Sequence, residues 1–119
     1  VKNYFITNDI AKDSNDLYLK QLTLLCANTE LGYWNENDVL IIINKISKYW
    51  YKIAENTTNI MFEDNSRKAV YAIAAVLENC NGMISDEARD ILIKLAHEMN
   101  EKGIYTKCFD IFILRDEQW

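Results

Sequence analysis

The sequence predicts an all-α fold, a single compact helical bundle built around a central apolar helix. Proline is absent and only three glycines occur in 119 residues, so nothing in the chain interrupts long helices. Apolar residues recur at spacings of three and four through most of the sequence, which is the pattern of a helix with one buried face. Half of the residues are hydrophobic, which is enough for one core, and we expect a single domain over residues 1–119.

The first half of the chain predicts three helices. Tyr4, Phe5 and Ile6 begin a brief first helix, and the polar residues 8–15 form a loop. A second helix ends near Gly32, because glycine favours a helix stop. Its apolar stripe consists of Leu17, Tyr18, Leu22, Leu24 and Leu25.

The third helix has the clearest start and stripe. Asn35 suits the N-cap, and Glu36 and Asp38 place negative charge in the first turn. The core-facing positions, flanked by Ile42 and Tyr49, are Val39, Ile43, Ile46, Trp50 and Ile53.

The middle of the chain predicts the central helix. Residues 55–65 form a polar connection in which Ile60, Met61 and Phe62 dock on the core as a short turn. Residues 68–77 read K-A-V-Y-A-I-A-A-V-L, so apolar residues surround this helix on every side. A helix of this kind belongs in the middle of a bundle, and its small alanines let neighbours approach closely.

The last third predicts a turn and two more helices. Residues 79–84 contain Gly82 and form the turn, Ser85 caps the next helix, and Gly103 ends it. The stripe of that helix is Ala88, Leu92, Leu95 and Met99. Residues 105–114 predict a closing helix, although F-D-I-F-I-L also alternates like a strand. Its helical core face would be Tyr105, Cys108, Phe109 and Phe112.

Charge and cysteine content narrow the classes of partner and compartment. The formal net charge is −5, which disfavours nucleic acid and anionic membrane surfaces as partners. A basic partner would be attracted, although a net charge of this size is also common because it keeps proteins soluble. Cys26, Cys80 and Cys108 are odd in number and lie among apolar residues, as buried free thiols do. We therefore expect a reducing compartment, the cytoplasm, and no membrane insertion, because no apolar run approaches the ~20 residues of a membrane span.

The sequence offers no credible catalytic, cofactor or metal site. His97 is the only histidine and reads as a surface residue. The acidic pairs lie mostly at helix starts, and the cysteines lack the short spacings that zinc sites favour. Lys45, Lys48 and Lys52 follow helical spacing as a solvated face does, and they are too few for a nucleic-acid footprint. We expect a protein that is not an enzyme and carries no cofactor.

Aromatic residues point instead to binding. Tyr49, Trp50 and Tyr51 are consecutive, so they cannot all point inward from one helix. At least one therefore meets solvent, a loop or a partner protein, and tyrosine and tryptophan are frequent interface residues.

The order of elements resembles the poxvirus Bcl-2-like family of intracellular host-response inhibitors. The early Y-F-I is followed by D-L-Y-L-K-Q-L-T-L-L, similar to the family's second helix. S-R-K-A-V-Y-A-I-A-A-V-L-E-N-C resembles its central helix, I-S-D-E-A-R-D-I-L-I-K-L-A-H-E-M-N its sixth helix, and C-F-D-I-F-I-L its closing helix. The likeness spans nearly the whole chain. The Asn-Trp-Gly-Arg turn of cellular Bcl-2 proteins is replaced by N-C-N-G-M-I, a departure that poxvirus members commonly share.

The resemblance implies one of two activities in the host cytoplasm. The first is capture of an amphipathic helix from a pro-apoptotic protein in a groove. The second is inhibition of a host protein that signals towards NF-κB, through a helical face that also supports a homodimer. The second activity is favoured because the sequence shows no C-terminal membrane anchor. Tyr4, Phe5 and the outer side of helix 85–100 are the expected dimer face. The expected groove walls are Leu22, Leu25, Ile42, Tyr49 and Val70.

A bacterial immunity or inhibitor protein is the main alternative. Such proteins are also small and acidic, and they neutralise a basic toxin or effector. An immunity protein would stack helical hairpins around an acidic concave face, whereas the Bcl-2-like hypothesis predicts that residues 69–77 are the most solvent-protected segment.

Overall fold

Helices make up most of the chain in the computed structural model, which describes residues 1–11 and 17–114. No strand occurs within these residues, so the all-α class is confirmed and the closing segment is a helix. The Cα radius of gyration is 13.4 Å, close to the about 13.5 Å expected for a compact chain of this length. The helices found there are α1 (Lys2–Thr7), α2 (Leu17–Ala27), α3 (Glu36–Ile53), α4 (Phe62–Asn79), α5 (Asp86–Glu101) and α6 (Lys107–Ile113).

The predicted caps set the starts of α3 and α5. The Asp38 backbone N–H donates to the Asn35 side-chain oxygen at 2.8 Å, and the Asp38 carboxylate accepts from the Asn35 backbone N–H. The Ala88 N–H donates to the Ser85 hydroxyl oxygen at 3.1 Å. Each cap satisfies backbone donors that the first helical turn leaves without an intrahelical partner.

Helix α4 packs against α2, α3 and α6, while α3 also contacts α1 and α5. Ala69, Val70 and Ile73 of α4 are buried, but Tyr71 on its outer side is 58% exposed. The prediction of a central helix enclosed on every side is therefore not confirmed, because α4 keeps a solvent-facing edge.

Polar groups at two places in the core are paired. The Trp50 indole N–H donates to the Ser66 hydroxyl at 2.8 Å, and both residues are fully buried. Asn79, 2% exposed, joins the end of α4 to the segment that follows α2. Its side-chain NH₂ donates to the carbonyls of Cys26 and Glu30 and to the Thr29 hydroxyl, and its oxygen accepts from the Trp34 N–H.

The connection before α4 differs from the prediction. Ile60 is 93% exposed and Met61 is also exposed, so only Phe62 of the predicted turn reaches the core. The helix begins at Phe62 rather than at Lys68. The Asn59 side chain accepts from the Met61 N–H at 2.8 Å and closes a turn there, after which the first helical turn already buries Phe62.

Two further boundaries were predicted wrongly. Helix α2 ends at Ala27 instead of near Gly32, because the segment that follows is bonded to Asn79. In the closing helix, Tyr105 is 80% exposed and Cys108 is exposed, so the predicted face is wrong in part. The helix starts only at Lys107, which leaves Tyr105 in the preceding loop, and its buried positions are Phe109 and Ile113.

Candidate functional site

The residues predicted to line a groove are mostly core residues. Leu22, Ile42, Tyr49 and Val70 are all no more than 4% exposed, so in this conformation they offer no surface to a partner. Leu25 is the exception, because it is only partly buried. The five residues therefore do not form an open groove in this conformation, and Leu25 packs, partly buried, against the core that contains the other four.

A depression lies where α1 crosses α2, and it includes both residues of the predicted dimer face. Its volume is about 490 Å³. Tyr4 is 47% exposed at its edge, whereas Phe5 is 2% exposed and forms part of its floor. The lining residues are Val1, Tyr4, Phe5, Gln21, Leu24, Leu25 and Asn28.

A second depression, of about 400 Å³, lies between α2 and α4. Leu17 and Tyr71 are each 58% exposed there, and Leu24, 54% exposed, lines both depressions. We call the combined lining of the two depressions the Leu24 surface. The second depression is lined by Leu17, Leu19, Lys20, Thr23, Leu24, Lys68 and Tyr71.

The charge of the Leu24 surface differs from that of the whole chain. The chain carries a net charge of −5. Among the described residues that line the surface, none has a carboxylate, and two are lysines, Lys20 and Lys68. Lys68 pairs with Asp64 one turn earlier on α4 at 2.9 Å. Because both lysines line the second depression, the positive charge lies at one end of the surface.

Helix α1 is held in place from two sides. The Lys2 ammonium lies 2.9 Å from the Asp38 carboxylate and 4.8 Å from the centre of the Tyr33 ring. On the other side, the Tyr18 hydroxyl donates to the Phe5 carbonyl at 2.6 Å. Burial raises the pKa of the Tyr18 hydroxyl, so this group keeps the proton that it donates. A helix of this length is not stable alone, and these contacts therefore position Tyr4.

A third cavity, of about 230 Å³, lies on α3 and contains Lys45, Lys48 and Lys52. The prediction of a solvated lysine face fails for Lys45, whose side chain is only 15% exposed. Its ammonium donates to the Asn8 carbonyl and to the Asp9 carboxylate, each at 3.0 Å. These contacts link α3 to the segment after α1.

The single histidine and the acidic residues are candidate groups for a catalytic or metal site. His97 is exposed and lies 3.1 Å from Glu101, as expected for a surface histidine. Within residues 1–11 and 17–114, no group of three or more histidine, cysteine or acidic residues could hold a metal ion.

The cysteines divide into two buried thiols and one exposed thiol. Cys26 and Cys80 are buried as predicted, whereas Cys108 lies at the surface of α6. Burial raises the pKa of Cys26 to about 11, although the Trp34 indole N–H, which donates to its sulfur at 3.2 Å, lowers it. A thiol with this pKa stays protonated near neutral pH and is a poor nucleophile.

Comparisons with family models, curated proteins and solved structures give no significant match to this chain. Of the helices in the described residues, none combines the length and apolar character needed to cross a membrane.

Sequence reasoning missed Leu17 and Leu24 as surface residues because it placed both on the core stripe of the second helix. Tyr18, Leu19 and Leu22 are buried, which fills the core face of α2. The signal was available, since six apolar residues within positions 17–25 cover a wider arc than one buried face of a helix.

Proposed function

We propose that the protein is a non-enzymatic binding protein whose Leu24 surface receives an amphipathic helix of a partner protein. The observation that carries this proposal is the cluster of exposed Tyr4, Leu17, Leu24 and Tyr71 around two adjoining depressions. Large apolar side chains grouped around concave surfaces are typical of protein interaction sites.

The length of the surface supports a helix as the bound element. Leu17 and Leu24 follow one another along α2, and the eleven residues of this helix span about 16 Å. A partner helix of about three turns matches that length, with apolar residues at positions i, i+3 or i+4, and i+7.

Charge supports an acidic flank on the partner helix. Lys20 and Lys68 lie at one end of the surface, where they would attract carboxylates of the partner. Such a pattern disfavours the alternative of an inhibitor for a basic toxin at this surface, because a cationic partner would be repelled by the lysines.

The host-modulator hypothesis is the narrower form of this proposal. The resemblance to poxvirus Bcl-2-like proteins supports an inhibitor in the host cytoplasm that binds a pro-apoptotic or NF-κB signalling protein. Retention of such a protein from host cell lysate by the wild type, and its loss with Leu24→Asp, would support the narrower form. Equal retention by both proteins would contradict it.

Selection from a displayed library of helical peptides tests the broader proposal without knowledge of the partner. We expect enriched peptides to combine an apolar stripe with acidic flanking residues. Leu24→Asp should abolish their binding, and Leu24→Ala should weaken it about five- to thirtyfold, because it removes about 1–2 kcal/mol of apolar burial.

Ile60→Asp is the matched control, since Ile60 is an exposed aliphatic residue outside both depressions. It should leave peptide binding unchanged. Failure to enrich any peptide, or binding that survives Leu24→Asp, would refute the assignment of this surface.

A further inference from the structure

The lysine cavity on α3 is separate from the Leu24 surface and has a different chemical character. Lys45, Lys48 and Lys52 share one face of α3, because they are three and seven residues apart. Asp9, Ile10 and Tyr49 complete the lining. Three lysines therefore line one concave space in a protein whose net charge is −5.

Lys45 is held in the cavity with its charge largely withdrawn from solvent. Its side chain is 15% exposed, and burial of an ammonium is costly unless acceptors replace water. Two acceptors do so at 3.0 Å, the Asn8 carbonyl and the Asp9 carboxylate. An ammonium has three donors, so one N–H of Lys45 remains after these two bonds.

Asp9 shows that an oxyanion fits against this ammonium. Its side chain is 93% exposed, which means that the carboxylate reaches Lys45 from solvent rather than from a packed position. An exposed carboxylate in such a pair contributes little stability. An anion of higher charge from solution can therefore replace the Asp9 carboxylate at a low cost in free energy.

The number of charges favours a dianion. Among the described residues that line the cavity, three lysines and one aspartate leave a charge of +2, and a phosphate monoester near neutral pH carries about −1.5 to −2. Lysine binds phosphate as a point charge without a demand for fixed geometry. Ile10, which is only partly buried, adds an apolar side chain to the lining, which an organic group on the phosphate would contact and inorganic phosphate would not.

We propose that this cavity binds a phosphate monoester, with Lys45, Lys48 and Lys52 around the phosphate and Ile10 beside the esterified group. Asp9 occupies the site in the absence of ligand and competes with it. The proposal does not depend on the function of the Leu24 surface.

Calorimetric titration of the whole chain with phenyl phosphate and with inorganic phosphate tests the site. We expect binding of both, with phenyl phosphate tighter. The double variant Lys48→Gln/Lys52→Gln should weaken binding about four- to twenty-fivefold, from about two- to fivefold for each exposed charge. Asp9→Asn should tighten it about two- to fivefold, because the competing carboxylate is lost.

Controls on α5 separate a built site from general charge attraction. Lys94→Gln removes one positive charge and Asp90→Asn one negative charge on exposed residues outside the cavity, and neither should alter the affinity. Effects as large as those of the cavity variants would overturn the proposal. So would weaker binding by Asp9→Asn, or no detectable binding of phenyl phosphate at about 10 mM.

A short phosphotyrosine peptide distinguishes two sources of the ester. Tighter binding of the peptide than of phenyl phosphate supports the site and indicates a phosphorylated protein. Equal or weaker binding of the peptide, with phenyl phosphate still bound, supports the site and indicates a small phosphate ester.

Discussion

Replacement of Asn79 by alanine should destabilise the protein more than its single amide would suggest. The side chain is 2% exposed. It donates to the Cys26 carbonyl at 3.4 Å, to the Thr29 hydroxyl at 3.2 Å and to the Glu30 carbonyl at 3.2 Å. Its oxygen accepts from the Trp34 N–H at 3.4 Å. Asn79→Ala therefore removes every one of these bonds at once.

The magnitude follows from the number and length of these bonds. A hydrogen bond contributes about 0.5–1.5 kcal/mol net, and distances of 3.2–3.4 Å place these in the weaker half of that range. We expect the free energy of unfolding to fall by about 2–3 kcal/mol. Part of this loss comes from the backbone groups of the buried Cys26 and Trp34, which lose their bonds to Asn79.

Urea unfolding monitored by tryptophan fluorescence measures this loss. Asn28→Ala is the control, because Asn28 is exposed and its amide only returns to the Leu24 carbonyl at 2.8 Å within the same helix end. That variant should lose less than about 0.5 kcal/mol. If Asn79→Ala loses less than about 1 kcal/mol, or no more than Asn28→Ala, the role assigned to Asn79 is wrong.

Three other perturbations give expected results with defined measurements. Ser66→Ala should lower the free energy of unfolding in urea by about 1–3 kcal/mol, because it leaves the buried Trp50 indole N–H without its acceptor; a neutral result would contradict this. Ile60→Lys should change the free energy of unfolding in urea little, since Ile60 is 93% exposed. A decrease of more than about 1 kcal/mol would show that Ile60 packs on the core. Burial raises the pKa of Cys26 from 9.0 to about 11, so its stabilising contribution is complete below pH 9 and is lost as pH rises towards 11, by about 1 kcal/mol at pH 10. Cys26→Ala should flatten this alkaline decline in urea titrations at pH 8 and pH 10, and an unchanged decline would refute it.

The helices and their caps could be predicted from local chemistry. Asn35 and Ser85 cap as expected because an N-cap depends on side chains within one helical turn. The stripe of Leu92, Leu95 and Met99 is buried for the same local reason, since a helix presents these positions on one side.

The surfaces could not be predicted in the same way. The wide apolar arc of α2 indicates that some of its apolar residues are exposed, but which ones are exposed depends on how α1 and α4 flank α2. Tyr49 was expected at a groove wall because it lies on the flank of the α3 stripe, yet it is 3% exposed. Asn79 gave no sequence signal of its role, because its partners lie about 50 residues away along the chain.

The attachment of α1 by Lys2 and Asp38 makes part of the Leu24 surface conditional. Tyr4 lies on α1, a helix of 6 residues. One of the contacts that hold α1 in place is a partly exposed ion pair, which salt weakens. A partner that needs Tyr4 in place binds only the docked population, so its apparent affinity scales with that fraction. Asp38 lies on α3 and outside both depressions. Asp38→Asn would then lower the affinity for the partner without removing a contact to the partner, and added salt would also lower this affinity. The ion pair thus contributes to the free energy that holds Tyr4 in the position that a partner needs.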